Sequence, residues 1–171
     1  MSDTPITPED NETAQAQASA MPIVVHAQYV KDLSFENPNA PMSLQPADKQ
    51  PDVSVKVDVQ ARRIRQDDPV FEVLLVINAE TRNDDQQLFL LELTYGGVFS
   101  LRGAAEEHLH PLVMIECPRL LFPYARAMVS ETTRDGGFPP LMLQPIDFVE
   151  LYRRRLAQQD PTADSEVAGH A

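Results

Sequence analysis

Four stretches between Ile23 and Arg102 alternate apolar and polar residues, and after Gly103 this alternation gives way to a helical period. A period of two marks strands with one buried face, because successive side chains point to opposite sides of a sheet. Ile23, Val25, Ala27, Tyr29, Leu33 and Phe35 alternate with Val24, His26, Gln28, Val30, Asp32, Ser34 and Glu36. Val53, Val55, Val57, Val59 and Ala61 form the second apolar row, and Phe71, Val73, Leu75, Ile77 and Ala79 the third. Phe89, Leu91, Leu93 and Tyr95 form the fourth, against Leu88, Leu90, Glu92 and Thr94. Strands followed by helices, rather than alternating units, predict an α+β chain. The expected architecture is a four-stranded antiparallel sheet with helices packed on one face and water on the other. Turn residues such as Asn83-Asp84-Asp85 between consecutive runs favour an antiparallel meander.

Between the first two strands, the segment from Glu36 to Asp52 carries Pro38, Pro41, Pro46 and Pro51. It is too long for a hairpin turn and too rich in proline for a strand, so it reads as an extended crossing connection. Residues 104–117 (AAEEHLHPLVMIEC) predict a short first helix with two acids in its first turn, its regularity limited by Pro111. Pro118 stands where the first turn of a second helix belongs, and that helix is expected to stop at Gly136-Gly137. FVELYRRRLAQQ (148–159) closes the domain as an amphipathic helix with Phe148, Leu151, Tyr152 and Leu156 on one face.

Charge is distributed as unevenly as hydrophobicity. Among 171 residues the net charge is −12, yet all 14 Lys and Arg and every Phe and Tyr fall between Tyr29 and Arg155. Residues 1–20 hold four acids and residues 160–171 three, with no aromatic side chain in either segment. Such composition buries too little apolar surface to offset chain entropy. The expectation is therefore a disordered, dispensable acidic extension over 1–20, a folded domain over 21–157 and a disordered tail over 158–171. An acidic chain of this kind argues against nucleic acid, which is bound through Lys and Arg, and against anionic membrane surfaces. One Cys excludes a disulfide framework within the chain. The N-terminus has neither a basic nor an apolar signal region and no stretch approaches a membrane span, so a cytoplasmic location is expected.

The motifs that carry chemistry are sparse. His108 and His110 are two apart, a spacing that points them to different sides of a helix, so they read as ordinary surface histidines rather than metal ligands. Cys117 has neither a basic neighbour nor a second Cys and reads as a buried thiol. YGGVFSLRG lacks the Lys-Ser/Thr ending of a phosphate loop; its glycines read as a bulge or bend in the last strand. No catalytic constellation, cofactor site or metal site emerges, so the chain is not expected to be an enzyme. The wet sheet face, with Asp32, Ser34, Glu36, Leu90 and Glu92, reads either as a solvated surface or as a binding surface. The second helix has apolar residues around much of its circumference, including Leu120, Leu121, Tyr124 and Met128, and so predicts a symmetric partner.

Three strings resemble the SecB family of export chaperones: YVKDLSFENPNAP (29–41), LFLLELTYGGVFSLRG (88–103) and CPRLLFPYARAMVSETTRDGGFPPLMLQPIDF (117–148). The likeness runs from about Ile23 to Leu156. It implies an ATP-independent cytosolic holdase, a homotetramer built as a dimer of dimers, which keeps precursor proteins unfolded and passes them to the SecA motor. It also implies that Asp32, Glu36, Leu90 and Glu92 dock the zinc-bearing, basic tail of SecA, so the metal belongs to SecA and not to this chain. The RRRL run of the last helix departs from the family, as does the long acidic extension. Two other readings compete: an oligomeric small-ligand-binding protein with a sheet pocket, and a plain structural oligomer. Suppression of aggregation of an unfolded protein separates the chaperone from both.

Overall fold

The computed structural model describes residues 23–46 and 49–159, so the expectation for residues 1–20 lies outside the described residues, as does that for the C-terminal tail apart from Gln158 and Gln159, which end a helix. Four strands, β1 (Ile23–Glu36), β2 (Asp52–Arg63), β3 (Val70–Asn83) and β4 (Gln86–Leu101), form one antiparallel sheet in the order β1-β4-β3-β2. The second to fourth strands make the expected meander, but β1 pairs with β4 and not with its sequence neighbour. The proline-rich connection therefore carries the chain from one edge of the sheet to the other, with a 3-10 turn at Met42–Leu44. Packing accounts for this correction. Beside β4, Phe35 stacks on Phe89 with centroids 5.6 Å apart and lies 6.4 Å from Phe138. Asp84 takes the positive-φ, left-handed conformation that the tight β3–β4 turn needs and that Asp tolerates.

The expected alternation holds in β2, β3 and β4. Val73, Leu75, Ile77 and Ala79 of β3 and Leu91, Leu93 and Phe99 of β4 are all buried on the helix-covered face. Each large side chain withdrawn from water in this way contributes roughly 1.5–3 kcal/mol. In β1 the alternation breaks twice, with register shifts between Val25 and Ala27 and between Val30 and Asp32. Each shift moves the strand by one residue and exchanges the two faces. Ala27 pairs with Val98 and Tyr29 with Gly96, so both lie on the outer face rather than in the expected apolar row. The second shift restores the phase, leaving Leu33 and Phe35 inside and Asp32, Ser34 and Glu36 outside.

Gly96 and Gly97 need a different explanation from the expected bulge, because β3 and β1 pair with both in unbroken register. They provide room. A Cβ on Gly96 would lie 2.8 Å from the Tyr29 ring, and one on Gly97 would lie 2.7 Å from the Phe99 ring and 2.9 Å from Leu121.

The two helices expected after Gly103 are continuous. Helix α1 (Glu106–Pro111) passes through a π turn (Leu112–Glu116) into α2 (Cys117–Asp135), and Pro111, Glu116 and Cys117 all keep helical dihedrals. The widened turn stands immediately before Pro118, which cannot donate to a regular ladder and whose ring crowds it. α2 stops where expected, at Gly136, with Gly137 at φ 91° and Phe138 N donating to Thr133 O at 3.1 Å, an arrangement that satisfies the last carbonyls of the helix. Helix α3 (Phe148–Gln159) starts on Asp147, whose Oδ1 accepts from Val149 N and Glu150 N at 3.0 Å each and so caps the orphan donors. Phe148 is buried at its base, whereas Leu156 at its far end is 42% exposed.

Candidate functional site on the outer face of the sheet

The outer face gathers the residues that alternation assigned to it. Asp32 pairs with Thr94, Ser34 with Glu92 and Glu36 with Leu90. Glu92 is therefore directly across from Ser34 and diagonal to both Asp32 and Glu36, which places it roughly 7–8 Å from each across the strands. Asp32, Glu36 and Glu92 are exposed, and Leu90 lies half-buried among them. Among the described residues none of the three carboxylates has an ion-pair partner, whereas Glu80 opposite Leu90 is held by Arg82 at 2.8 Å. The result is an acidic surface around one apolar side chain, suited to a cationic segment that also carries an apolar group.

Beneath this surface lies a knot that sequence reasoning missed. Glu72, 5% exposed, is the one charged residue buried on the outer face among the described residues. Its Oε1 accepts from Tyr29 Oη at 2.5 Å and Lys31 Nζ at 3.2 Å, and its Oε2 accepts from Arg62 Nε at 2.5 Å. The Tyr29 and Arg62 hydrogen bonds outweigh the effect of burial and hold the Glu72 carboxyl down at about 2, as hydrogen bonds to the charged form do. Burial, reinforced by Glu72, pushes the Tyr29 phenol up to about 12. No spacing could have revealed this group, since its members lie on three strands and meet only through pairing and the bulge at Lys31.

The helical side places the other candidates unequally. Leu120 is 37% and Tyr124 54% exposed, and Met128 is half-buried. Leu121, named with them as an interface candidate, is wholly buried against Gly97 in the core of the protomer. Tyr124 stacks on Tyr95, with centroids 6.3 Å apart, next to the exposed inner-phase side chains Val30 and Leu33 of edge strand β1. His110 Nδ1 is 2.8 Å from Tyr152 Oη, and His108 lies at the surface near Glu107. Cys117 is fully buried, and burial pushes its thiol up to about 12. Among the described residues no three His, Cys, Asp or Glu are placed to hold a metal ion, and no helix is long and apolar enough to cross a membrane.

Two open grooves expose apolar side chains. One of about 540 Å³ runs between the crossing connection and the segment after α2, where Met42 is 60% and Leu44 46% exposed near Phe138. Another of about 430 Å³ lies between β2 and α3, lined by Val57, Met114 and Leu151. Arg155 spans its rim, donating to Val59 O and lying 3.4 Å from Asp58 Oδ1.

The family model described as preprotein translocase subunit SecB matches residues 15–159. The protein-export protein SecB of Afipia carboxidovorans is 52% identical over 151 residues, covering 88% of this chain and 92% of its own. That of Parvibaculum lavamentivorans is 55% identical over 139 residues, covering 81% of each. In fold the chain is similar to a SecB-like chaperone of Mycobacterium tuberculosis solved with an antitoxin peptide, with a TM-score of 0.60, 16% identity, and coverage of 77% of this chain and 94% of that one. A family match across most of the residues, with relatives at about half identity over nearly their whole length, makes this chain a member of the SecB family of protein-export chaperones.

Proposed function

We propose that this chaperone is an ATP-independent holdase for unfolded precursor segments and that it hands them to SecA through the outer face of its sheet. The observation that carries the reading is the set of three exposed carboxylates, Asp32, Glu36 and Glu92, unpaired among the described residues and arranged around Leu90. A solvated surface has no use for a half-buried leucine ringed by free acids. A basic tail with an apolar side chain uses both, and its encounter is steered by charge and weakened by salt. Clients are taken by the apolar grooves, where Met42, Leu44 and Phe138 supply non-directional, adaptable contact.

The assembly proposed is a homotetramer, with Leu120, Tyr124 and Met128 of α2 as one contact and the exposed inner side of β1 as another. Exposed apolar residues on two adjoining elements support it: Tyr124 on the helix and Val25, Val30 and Leu33 on the strand, a patch of the kind that marks an interaction surface. Calorimetry with the isolated SecA tail peptide tests the docking face. Asp32→Lys, Glu36→Lys and Glu92→Lys should each weaken the peptide by at least several-fold, leaving tetramer mass and suppression of client aggregation unchanged. Unchanged affinity in all three would return this surface to plain solvation.

A further inference from the structure

The outer face is acidic only at one end. At the other, where β1 begins and β4 ends, a cleft of about 350 Å³ is lined by His26, Arg65, Asp68, Val98, Ser100 and Arg102. Elsewhere on the sheet the arginines are committed: Arg62 to Glu72, Arg63 to Glu106 and Arg82 to Glu80. At this cleft they are held less fully. Arg102 has no ion-pair partner among the described residues, and Arg65 has only Asp68, at 3.7 Å with both side chains largely exposed. His26 Nε2 lies 2.9 Å from Ser100 Oγ and forms the wall between β1 and β4. A chain of net charge −12 thus presents Arg102, unpaired among the described residues, beside an Arg65 held only by the exposed Asp68.

The chain itself contains the complementary segment. Residues 1–22 carry Asp3, Glu9, Asp10 and Glu12 and no Lys or Arg. They join the domain at Ile23, which pairs with Leu101, next to Arg102, while Val24 pairs with Ser100 of the cleft. Ile23, where the described residues begin, therefore stands at the rim of the cleft. From Glu12 to Ile23 the chain spans roughly 18 Å when flexible and up to about 40 Å when extended. His26 is three residues past the junction, roughly 10 Å along the strand. The acids can reach the arginines without strain, and tethering gives them a local concentration of order millimolar.

We propose that this cleft is the docking site of the chain's own N-terminal extension, with Asp3 to Glu12 held against Arg65 and Arg102. Docking replaces the free extension that composition alone suggests. It also neutralises the cationic end of the face. Along β4 that end is separated from Thr94, the partner of Asp32, by roughly 20 Å of strand.

The test is paramagnetic broadening in the full-length assembly. A spin label is placed on Asn11→Cys, the buried Cys117 remaining unlabelled, and the Val70 and Val98 methyl signals are read at about 50 mM salt, where screening is weak. Selective loss of these signals is expected, with recovery at about 500 mM salt and in the double variant Arg65→Glu/Arg102→Glu. Mixed tetramers, in which only unlabelled protomers are NMR-visible, distinguish the two sources: persistent broadening there assigns the cleft to a neighbour's extension and overturns docking within one chain. No broadening, or broadening that survives the double variant, overturns the proposal as well.

Discussion

Replacing Glu72 with Gln keeps the shape of the knot beneath the outer face and removes its charge. The carboxyl titrates at about 2 in the folded chain against an ordinary 4.5. Each pH unit of such a displacement is worth about 1.36 kcal/mol, so a fully shielded group would contribute roughly 3 kcal/mol. The Lys31 and Arg62 side chains are 43% and 71% exposed. Screening by water at that exposure reduces the expected loss to about 2 kcal/mol. The pH dependence follows from the sign of the shift. A carboxyl whose folded pKa is depressed stabilises fully above its unfolded value and loses that contribution as pH falls towards the folded value. The difference between the parent and Glu72→Gln should therefore be nearly constant from pH 7 down to about 5 and shrink by more than half by about pH 3. Urea unfolding at fixed protomer concentration measures it, since assembly makes the midpoint concentration-dependent. An equal difference at pH 7 and pH 3, or none at pH 7, would show that the buried carboxylate is not the source of the stabilisation.

Four further outcomes are expected. Leu121 is wholly buried over Gly97, so Leu121→Ala should leave a cavity and cost about 2–5 kcal/mol in urea unfolding; Tyr124→Asp, by contrast, should keep the circular dichroism of the protomer and lower the mass seen by light scattering. Cys117, whose thiol is pushed up by burial, should resist a thiol reagent at pH 8 in the native chain and react on unfolding, the native and unfolded rates differing by at least tenfold. The methyl of Gly97→Ala would meet Phe99 and Leu121 at 2.7 Å and 2.9 Å. It should lower stability by about 1–3 kcal/mol, a loss that appears as a lower urea midpoint.

The acidic outer face depends on two irregularities of β1. β1 begins with Val25 in phase with the core and ends with Phe35 in phase with the core, but the chain between them passes through two register shifts. They turn Tyr29 outward onto Gly96, where its hydroxyl meets Glu72, and they place Lys31 on the same carboxylate. Phe35, packed on Phe89 and close to Phe138, fixes the far end so that Asp32 and Glu36 face the same side as Glu92. With Val25 inside, a single shift would have sent Phe35 outward and Asp32, Ser34 and Glu36 inward.

The sequence by itself determined the elements and the polarity of three strands, because period-two burial and helix caps are local properties of the chain. Asp32, Glu36, Leu90 and Glu92 were legible for that reason: alternation near a well-anchored strand end survives folding, and the resembling strings cover the same positions. Cys117 was legible as a buried thiol as well. Strand order, the outward turn of Tyr29, the burial of Leu121 and the Glu72 knot were decided only by tertiary structure. Glu72 is 43 residues from Tyr29 and 10 from Arg62. Their meeting depends on β1 crossing to β4 and on a bulge that no composition or period records. Leu121 likewise lies among apolar neighbours on α2, and its close approach to Gly97 joins segments distant in the chain. Local chemistry specifies which face of an element is apolar; pairing across the chain specifies what that face meets.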